Sequence, residues 1–352
     1  MRILITGGAG FVGSNLALVF AKEPGVAVTA FDNLRRRGSE LALARLREGG
    51  VSFVHGDIRN PEDLEGLPAA DLMIECSAEP SVHAGYDGSA RYLVNTNLTG
   101  TFNCLEYARR HGTAVVFLST SRVYSIAALR TLPLRPEGQR FALPPGEAGA
   151  GWSERGIAED FSTGPPRSLY GTTKLASELL IEEYNAAFGL RTIINRCGVI
   201  TGPWQMGKVD QGFFVLWAAC HLYRRRLRYT GFGGKGYQVR DVLHVADLFD
   251  LIRLQTASFE RYSGQSYNVG GGVNTSVSLA ELTDLCRART ESASKPGEDP
   301  TTRPADIPYY VTDHGAVTGA TGWTPKRPVE MILDEVLEWL GRYRAVVEPV
   351  LE

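Results

Sequence analysis

The chain begins with a short apolar run that ends in closely spaced glycines and is followed at once by a helical pattern. RILIT precedes GGAG, and apolar residues then recur at helical spacing in SNLALVF. Such a turn between a strand and a helix lets a pyrophosphate approach the helix N-terminus, whose N–H groups and dipole favour an anion. The arrangement predicts a dinucleotide site made by Gly7, Gly10, Phe11, Val12 and Gly13.

The same alternation of apolar runs and helical segments continues along the first half of the chain. VAVTAFD, VSFVHGD, LMIECSA and AVVFLSTS are nearly continuous apolar runs, separated by helical stretches such as PEDLEGL and NTNLTGTFNCLEYARRHG. Strands without polar alternation are typical of a parallel sheet that helices cover on both faces. The pattern therefore predicts an α/β fold with a Rossmann-type doubly wound parallel sheet.

A change in composition indicates the domain organisation. Residues 125–166 are rich in Pro, Gly and Glu, which is typical of a long surface loop. We expect residues 1–199, including this loop, to form the cofactor-binding Rossmann domain. Residues 200–352 are expected to form mainly a smaller C-terminal substrate-binding lobe, partly interleaved with the sheet. A chain of 352 residues is long enough for both.

The overall composition excludes several classes of function. With 37 basic and 39 acidic residues the net charge is −2, so we expect neither a nucleic-acid nor a membrane partner. The apolar runs are too short to cross a bilayer, and the N-terminal run is too short for a signal peptide. The five cysteines lack metal-site spacing, so no metal is predicted, and their scatter favours a reducing, cytoplasmic location.

Acidic residues end the second and third predicted strands. Asp32 closes VAVTAFD, where a carboxylate can accept hydrogen bonds from both hydroxyls of an adenosine ribose. This favours NAD over NADP, although the basic run 35–37 could hold the additional phosphate. Asn33 follows Asp32, and Asp57 and Ile58 end the third strand, where adenine would lie.

The stretch SLYGTTKLASE places Tyr170 and Lys174 four residues apart near the start of a predicted helix, so the two side chains share one face. Alone, such a pair could be an ordinary surface contact. Beside a nicotinamide, Lys174 would lower the pKa of Tyr170, so that the phenolate can take a proton from a substrate hydroxyl. Thr120, at the end of the fifth strand, could hold the same oxygen. We predict that Tyr170, Lys174 and Thr120 are catalytic.

Several motifs occur together in an order typical of one family: TGGAGFVG, FDNL, GDI, NTNLTGTFNCLEYAR, STSRVY and YGTTK. With them the chain resembles, over nearly its whole length, the extended short-chain dehydrogenase/reductases of the NAD-dependent sugar-nucleotide epimerase/dehydratase group. Within that group, HGDIRN, KVDQGF, GKGYQVRDVLHVADL and YNVGGGVNTSVSLAEL resemble the CDP-tyvelose epimerases, also called CDP-paratose 2-epimerases. The resemblance implies tightly held NAD, a nucleoside-diphosphate sugar substrate, with a CDP-sugar favoured, and a homodimer or higher homo-oligomer.

The resemblance also implies further contacts. Ala78, Asn97, Tyr170 and Lys174 are expected to line the cofactor. Substrate contacts are expected from Ser121, Cys197, Gln211, Arg240 and Arg303, with the two arginines near the diphosphate.

Two of the residues near the expected site allow more than one interpretation. CSAEP stands where many relatives have HLAAQ, which places Glu79 beside the expected nicotinamide. Glu79 is either a substrate ligand or a residue that caps its own loop. Cys197, at a strand end that faces the substrate in relatives, is either a small core residue or a participant in catalysis.

The residues after Thr120 bear on the type of reaction. Dehydratases of the resembled family follow the active-site threonine with an acidic pair, whereas here Ser121 and Arg122 follow it. Without that pair, the simplest cycle is transient oxidation to a ketone and reduction on the opposite face. A CDP-sugar 2-epimerase is the leading hypothesis. A UDP-sugar 4-epimerase and a non-catalytic NAD-binding regulatory or assembly subunit are the alternatives.

Overall fold

The structure, a computed structural model, describes residues 1–86, 88–208 and 211–351. Its first part alternates strands and helices, as the apolar pattern predicts. The elements are β1 (Arg2–Thr6), α1 (Phe11–Phe20), β2 (Ala27–Asp32), α2 (Ala42–Glu48), β3 (Ser52–His55), α3 (Pro61–Glu65), β4 (Leu72–Glu75), α4 (Arg91–Val94), α5 (Gly100–His111) and β5 (Ala114–Thr120). A π-helical turn, Asn95–Thr99, joins α4 to α5.

The second part is more irregular. Its first elements are α6 (Ile126–Arg130), β6 (Arg135–Glu137), β7 (Arg140–Ala142), β8 (Trp152–Ser153), β9 (Gly156–Ile157), α7 (Ser168–Phe188), β10 (Thr192–Cys197), β11 (Val199–Thr201), α8 (Phe213–Leu222), β12 (Arg228–Thr230) and β13 (Val239–His244). The remainder comprises α9 (Val245–Ala257), α10 (Phe259–Tyr262), β14 (Gln265–Val269), β15 (Ser276–Ser278), α11 (Leu279–Thr290), β16 (Gly297–Asp299), β17 (Tyr309–Tyr310), α12 (Gly315–Thr321), α13 (Val329–Arg342) and α14 (Arg344–Val347).

A seven-stranded sheet organises the first part, with the order β14-β10-β5-β4-β1-β2-β3. The pairs β1–β2, β2–β3, β1–β4 and β4–β5 are all parallel. The chain moves outward from β1 in one direction through β3 and in the other direction from β4, so the order reverses between β1 and β4. This confirms the predicted doubly wound sheet and places the ligand crevice expected of such sheets at the carboxyl ends of β1 and β4.

The core of the sheet explains why its strands are so apolar. Every residue of β5 is buried, and every residue of β4 is buried as well. Helix α5 packs on this region through Cys104, Leu105 and Ala108, and ends where Gly112 adopts the left-handed conformation, at a φ of 65°. The helices thus supply the apolar cover that a parallel sheet requires.

The chain divides into two compact units. The first comprises residues 1–123, 169–196 and 248–267, and the second comprises 124–168, 197–247 and 268–352. The sequence-based boundary at residue 199 differs from this division, because residues 248–267, which carry most of α9 and β14, return to the first unit and residues 124–168 group with the second. The assignment of cofactor binding and substrate binding to separate lobes stays a prediction.

Residues 125–166 are more structured than the predicted surface loop. They contain α6 and two short hairpins, β6–β7 and β8–β9. The backbone N–H of Phe141 donates to the Tyr237 carbonyl, and the Ser278 hydroxyl donates to the Gln139 carbonyl. The segment therefore belongs to the second unit because its backbone is hydrogen-bonded there.

The second unit has its own four-stranded sheet. Strand β13 pairs with β11, β15 and β17, and its pairing with β17 places Arg240 opposite Tyr310. Across the described ranges 1–86, 88–208 and 211–351, no helix is both long and apolar enough to span a membrane. Nor do these ranges contain a cluster of three or more His, Cys, Asp or Glu residues that could hold a metal ion.

Candidate active site

The glycine turn after β1 packs tightly against neighbouring backbone. Gly7 has a φ of 65°, and a Cβ there would lie 2.8 Å from the Cys76 carbonyl carbon. A Cβ at Gly13 would lie 2.2 Å from the Gly7 carbonyl oxygen. Larger residues are therefore excluded at both positions. The turn leads directly into α1, whose first-turn N–H groups at Phe11, Val12 and Gly13 precede the intrahelical ladder, so its backbone fits a pyrophosphate.

Asp32, at the carboxyl end of β2, connects this turn to the neighbouring strand. Its carboxylate accepts hydrogen bonds from the N–H groups of Ala9, at 3.1 Å, and Leu34, at 2.7 Å. Burial raises the pKa of Asp32, while these backbone bonds act in the opposite direction. The position at the strand tip and beside the turn fits the predicted ribose contact.

Asp57 lies after β3 and is joined to the predicted cofactor residue Asn33. The Asn33 amide donates to the Asp57 carboxylate at 2.8 Å, and Arg59 donates to both carboxylate oxygens. Burial acts to raise the pKa of Asp57. The hydrogen bonds and charge of Arg59, together with the hydrogen bond from Asn33, outweigh burial and lower the pKa to about 2. Asp57 is therefore ionised at neutral pH. Ile58, beside it, packs against Gly100, where a Cβ would lie 2.4 Å from Ile58.

Arg59 and Tyr92 were missed by the sequence analysis. The Arg35 guanidinium lies 4.0 Å from the centroid of the Tyr92 ring, and that of Arg59 lies 4.9 Å from it. Arg35 is thus held on an aromatic face. The basic run was visible in the sequence, but the ring that receives it comes from a distant helix, α4.

Asn97 joins the loop after β4 to the helix that carries Tyr170. Its side-chain oxygen accepts from the Glu79 N–H at 2.8 Å, and its amide donates to the Glu79 carbonyl at 3.1 Å and to the Thr173 hydroxyl at 3.2 Å. Thr173 in turn donates to the Tyr170 carbonyl. The predicted residues Glu79, Asn97 and Tyr170 therefore belong to one connected region, and Ala78 directly precedes Glu79.

The predicted catalytic side chains all lie in the first unit and are largely buried. Tyr170 is 9% exposed and Lys174 is 2% exposed, and both lie in α7 at the spacing that puts them on one face. Thr120 ends β5, and its hydroxyl oxygen accepts the N–H of Arg122 at 3.2 Å, which leaves the hydroxyl proton for another acceptor. Ser121 follows as a buried residue.

A buried glutamate near Lys174 was also missed. Glu75 ends β4 and accepts a hydrogen bond of 2.7 Å from the Thr101 hydroxyl. Burial raises its pKa, and the charge of Lys174 opposes that effect. In the sequence, Glu75 is one acidic residue within the apolar run LMIEC, and nothing local indicates its partner.

In the second unit, Arg240 contacts one short segment, residues 303–307, and Arg303 belongs to that segment. Arg240 donates to the Ile307 carbonyl at 2.8 Å, while Arg303 donates to the Asp306 carboxylate at 3.2 Å. Arg130, which the sequence analysis missed, donates to the carbonyls of residues 303, 304 and 306 at 2.8–3.1 Å. The segment is thus held by guanidinium groups, and both predicted diphosphate ligands form hydrogen bonds with it.

The other residues predicted to contact substrate differ in their burial and in their hydrogen bonds. Gln211 forms backbone hydrogen bonds with Lys208, and its side-chain oxygen is buried without a partner among the described residues. Val209 and Asp210 of the KVDQGF motif lie outside the described residues. Cys197 is buried at the end of β10. Glu79 accepts the Ser81 N–H at 3.2 Å, a geometry that matches the loop-capping interpretation.

The chain is similar in sequence and in fold to known proteins. Residues 3–270 match the model of the family described as "NAD dependent epimerase/dehydratase family". The chain is 30% identical to a CDP-paratose 2-epimerase of Salmonella typhi, covering 96% of this chain and 99% of that protein. It is 26% identical to a dTDP-glucose 4,6-dehydratase of Salmonella typhimurium, covering 96% and 92%. The solved UDP-glucose 4-epimerase of Thermus thermophilus, in complex with NAD, superposes with a TM-score of 0.74 at 25% identity, covering 96% and 99%.

Proposed function

Because this chain belongs to the NAD dependent epimerase/dehydratase family and is therefore an NAD-dependent enzyme, we propose that it epimerises a nucleoside-diphosphate sugar, specifically a CDP-sugar at carbon 2. The reaction is transient oxidation of a ring carbinol to a ketone, followed by reduction on the opposite face. The observation that carries the choice of epimerase over dehydratase is the pair Ser121 and Arg122 after Thr120, where an acid and a base would be needed to remove water.

Tyr170 is the acid and base of the proposed cycle. Its phenolate takes the proton of the sugar hydroxyl as the carbon–hydrogen bond breaks, holds that proton, and returns it to the same oxygen when the bond re-forms. Lys174, one turn further along α7, stabilises the phenolate, and the Thr120 hydroxyl orients the sugar oxygen. Serving as base and then acid restores the tyrosine to its starting state.

The glycine turn and the ends of β2 and β3 form the proposed cofactor site. Phe11, Val12 and Gly13 would offer N–H groups to the pyrophosphate, Asp32 would bind the adenosine ribose, and Asp57 would lie near adenine. NAD supplies the acceptor and donor of hydride when bound. The Asp32 carboxylate favours NAD over NADP because it would repel a ribose phosphate.

The second unit supplies the proposed substrate site. Arg240 and Arg303 suit a diphosphate because the planar guanidinium can bind two phosphate oxygens at once. Asp306 competes for Arg303, so binding of a diphosphate would replace an ion pair within the protein. The buried side-chain oxygen of Gln211, without a partner among the described residues, is a further proposed contact for the substrate.

The runner-up is a UDP-sugar epimerase that acts at carbon 4, since the same catalytic residues serve either carbon. Its support is the similarity to the UDP-glucose 4-epimerase of Thermus thermophilus. The choice between them is tested directly. Purified protein incubated with CDP-, UDP- and GDP-sugars should convert a CDP-sugar to its carbon-2 epimer by NMR, whereas conversion of UDP-sugars at carbon 4 alone would select the runner-up.

We also propose that the protein forms a homodimer. Helices α5 and α7 expose apolar side chains, with Phe102 42% exposed and Leu179 56% exposed, at a groove that Leu98, Ala176 and Leu180 also line. Such a contiguous apolar face suits a self-complementary contact between two copies. A monomer by light scattering at micromolar concentration would contradict the dimer.

The location that we propose is the cytoplasm. Cys104, Cys220 and Cys286 are buried thiols, which suits a reducing compartment.

A further inference from the structure

Glu75 occupies an unusual place for an acidic side chain. It ends β4 and is 1% exposed. The strand register places it opposite Thr6 of β1 and opposite Phe117 of β5. Because laterally paired residues of a sheet point to the same face, the side chains of Thr6, Glu75 and Phe117 form one row beneath the helices.

Lys174 lies over the same row. Its ammonium nitrogen is 3.7 Å from the centroid of the Phe117 ring, and the side chain is 2% exposed. The ammonium is therefore placed on the immediate lateral neighbour of Glu75. The two side chains interact electrostatically, and burial of both in an apolar core strengthens that interaction relative to water.

One hydroxyl group, that of Thr101, lies within hydrogen-bond distance of the Glu75 carboxylate. The Thr101 hydroxyl lies 2.7 Å from one carboxylate oxygen and 2.9 Å from the Asn97 carbonyl, yet it has one proton to donate. When the Thr101 proton is directed to Glu75, the Ser177 hydroxyl, which lies 2.9 Å from the Asn97 carbonyl and 3.0 Å from the Thr173 carbonyl, can donate to Asn97 in its place. The second carboxylate oxygen is buried without a hydrogen-bond partner among the described residues.

Glu178, four residues after Lys174 in α7 and 0% exposed, is a second buried carboxylate, but it is paired with Arg196 at 2.8 Å and accepts a hydrogen bond from Ser119. Thr6 from β1, Phe117 from β5 and Thr101 from α5 do not titrate in the working range. Cys104, also from α5, interacts with both Glu75 and Lys174, but burial raises the pKa of its thiol well above the ordinary value, so it stays neutral. The charge that acts on Glu75 is that of Lys174 of α7.

We propose that Glu75 is the counter-charge that keeps Lys174 protonated in its buried position, and so acts as a positioning residue for the Tyr170–Lys174 pair. The catalytic consequence rests on the proposed function. The physical reason is general: an ammonium removed from water loses its proton more readily unless a carboxylate compensates, and removal of one partner of a buried pair leaves the other charge uncompensated.

The titration of Lys174 tests the proposal without any substrate. Protein labelled with ¹³C at the lysine ε-carbons is titrated by NMR in one cofactor state, with the Lys174 signal assigned by its absence in Lys174→Arg. In Glu75→Gln the midpoint should fall by at least about one pH unit. Glu75→Asp should recover part of the shift. An unchanged midpoint in Glu75→Gln would overturn the proposal.

Cys104→Ala is the matched control, because it removes a buried side chain from the same cluster without removing a charge. Its Lys174 midpoint should equal that of the wild type, and a shift equal to that of Glu75→Gln would overturn the proposal by attributing the effect to packing. If the glutamate variants shift the midpoint while no sugar nucleotide is epimerised, the proposed function fails and this inference stands.

A second measurement covers the case in which Glu75→Gln folds poorly. In the double variant Glu75→Gln/Lys174→Met both buried charges are absent, so it should melt at a higher temperature than either single variant. Melting temperatures that fall additively would show that the two side chains are independent, which would overturn the proposal.

Discussion

The carboxylate of Asp32 accepts a hydrogen bond of 3.1 Å from the backbone N–H of Ala9, which joins the tip of β2 to the glycine turn after β1. The other carboxylate oxygen accepts from Leu34 at 2.7 Å. One partly buried side chain thus holds both the turn and the start of the following segment. The same carboxylate is proposed to bind the adenosine ribose, so the fold of the turn and the recognition of the cofactor depend on a single residue.

We predict that Asp32→Ala weakens NAD binding by about 1.5–3 kcal/mol, or roughly 10- to 150-fold in Kd, because a charge-assisted ribose contact is lost. Asp32→Asn keeps the size and one acceptor oxygen, so it should lose less affinity and should bind NADP relatively better. Calorimetric titration with both nucleotides measures these effects. Equal NAD affinity in Asp32→Ala and wild type would show that the ribose binds elsewhere.

Asp57 gives a prediction for acid stability. Arg59 holds its pKa at about 2 against the opposing effect of burial, below the ordinary 3.8. Between about pH 2 and pH 4 the unfolded chain binds more protons at Asp57 than the folded chain does. The contribution of Asp57 to folding stability is therefore complete above about pH 4 and is lost as the pH falls towards about 2. Asp57→Asn should lower the urea midpoint at pH 7 and flatten its decline between about pH 4 and 2. A decline as steep as in the wild type would contradict this account.

The arginines of the second unit should differ in their effect on nucleotide affinity. Arg303→Ala should weaken CDP binding by about 10-fold or more, because it removes a proposed phosphate ligand. Arg130→Gln, which loosens the segment that carries Arg303, should weaken binding by a smaller factor and raise KM with little change in kcat. Arg135→Gln, at an exposed position on β6, is the control. Wild-type CDP affinity in Arg303→Ala would require its reassignment.

Some residues of the candidate site could be predicted from the local sequence. The glycine turn and Asp32 act through contacts between residues close in sequence or at the ends of neighbouring parallel strands, so spacing alone indicates them. The Tyr170 and Lys174 pair is likewise set by helix periodicity. The doubly wound sheet followed from the continuous apolar runs, which its buried strands require.

Other features depend on pairings that no local pattern reveals. Glu75 meets the Lys174 charge only because β4 and β5 are paired and α7 crosses them. Arg130 reaches carbonyls far along the chain, and backbone groups carry no side-chain signal. The hairpins within residues 125–166 are formed by strands of two or three residues, too short for an alternating pattern to be visible.

Because Tyr170 is the proposed acid and base, removal of its hydroxyl group should slow epimerisation. Tyr170→Phe keeps the ring but removes the group that accepts the proton, so epimerisation should slow by about 10²–10⁴-fold while nucleotide affinity persists. Lys174→Ala should also slow the reaction and move its pH optimum upward. Tyr184→Phe, on the same helix with its hydroxyl bonded to Glu106, should retain wild-type turnover. Turnover in Tyr170→Phe equal to that of Tyr184→Phe would contradict the assignment.

Isotope transfer at carbon 2 tests the central claim most directly. A CDP-sugar with deuterium at carbon 2 is incubated with the enzyme, and the rate and the position of the label are followed by NMR and mass spectrometry. The account predicts slower turnover than with the unlabelled sugar and retention of deuterium at carbon 2 of the epimer, because the hydrogen removed from that carbon is returned to it. Loss of the label to solvent, or slowing with deuterium at carbon 4 and none at carbon 2, would contradict it.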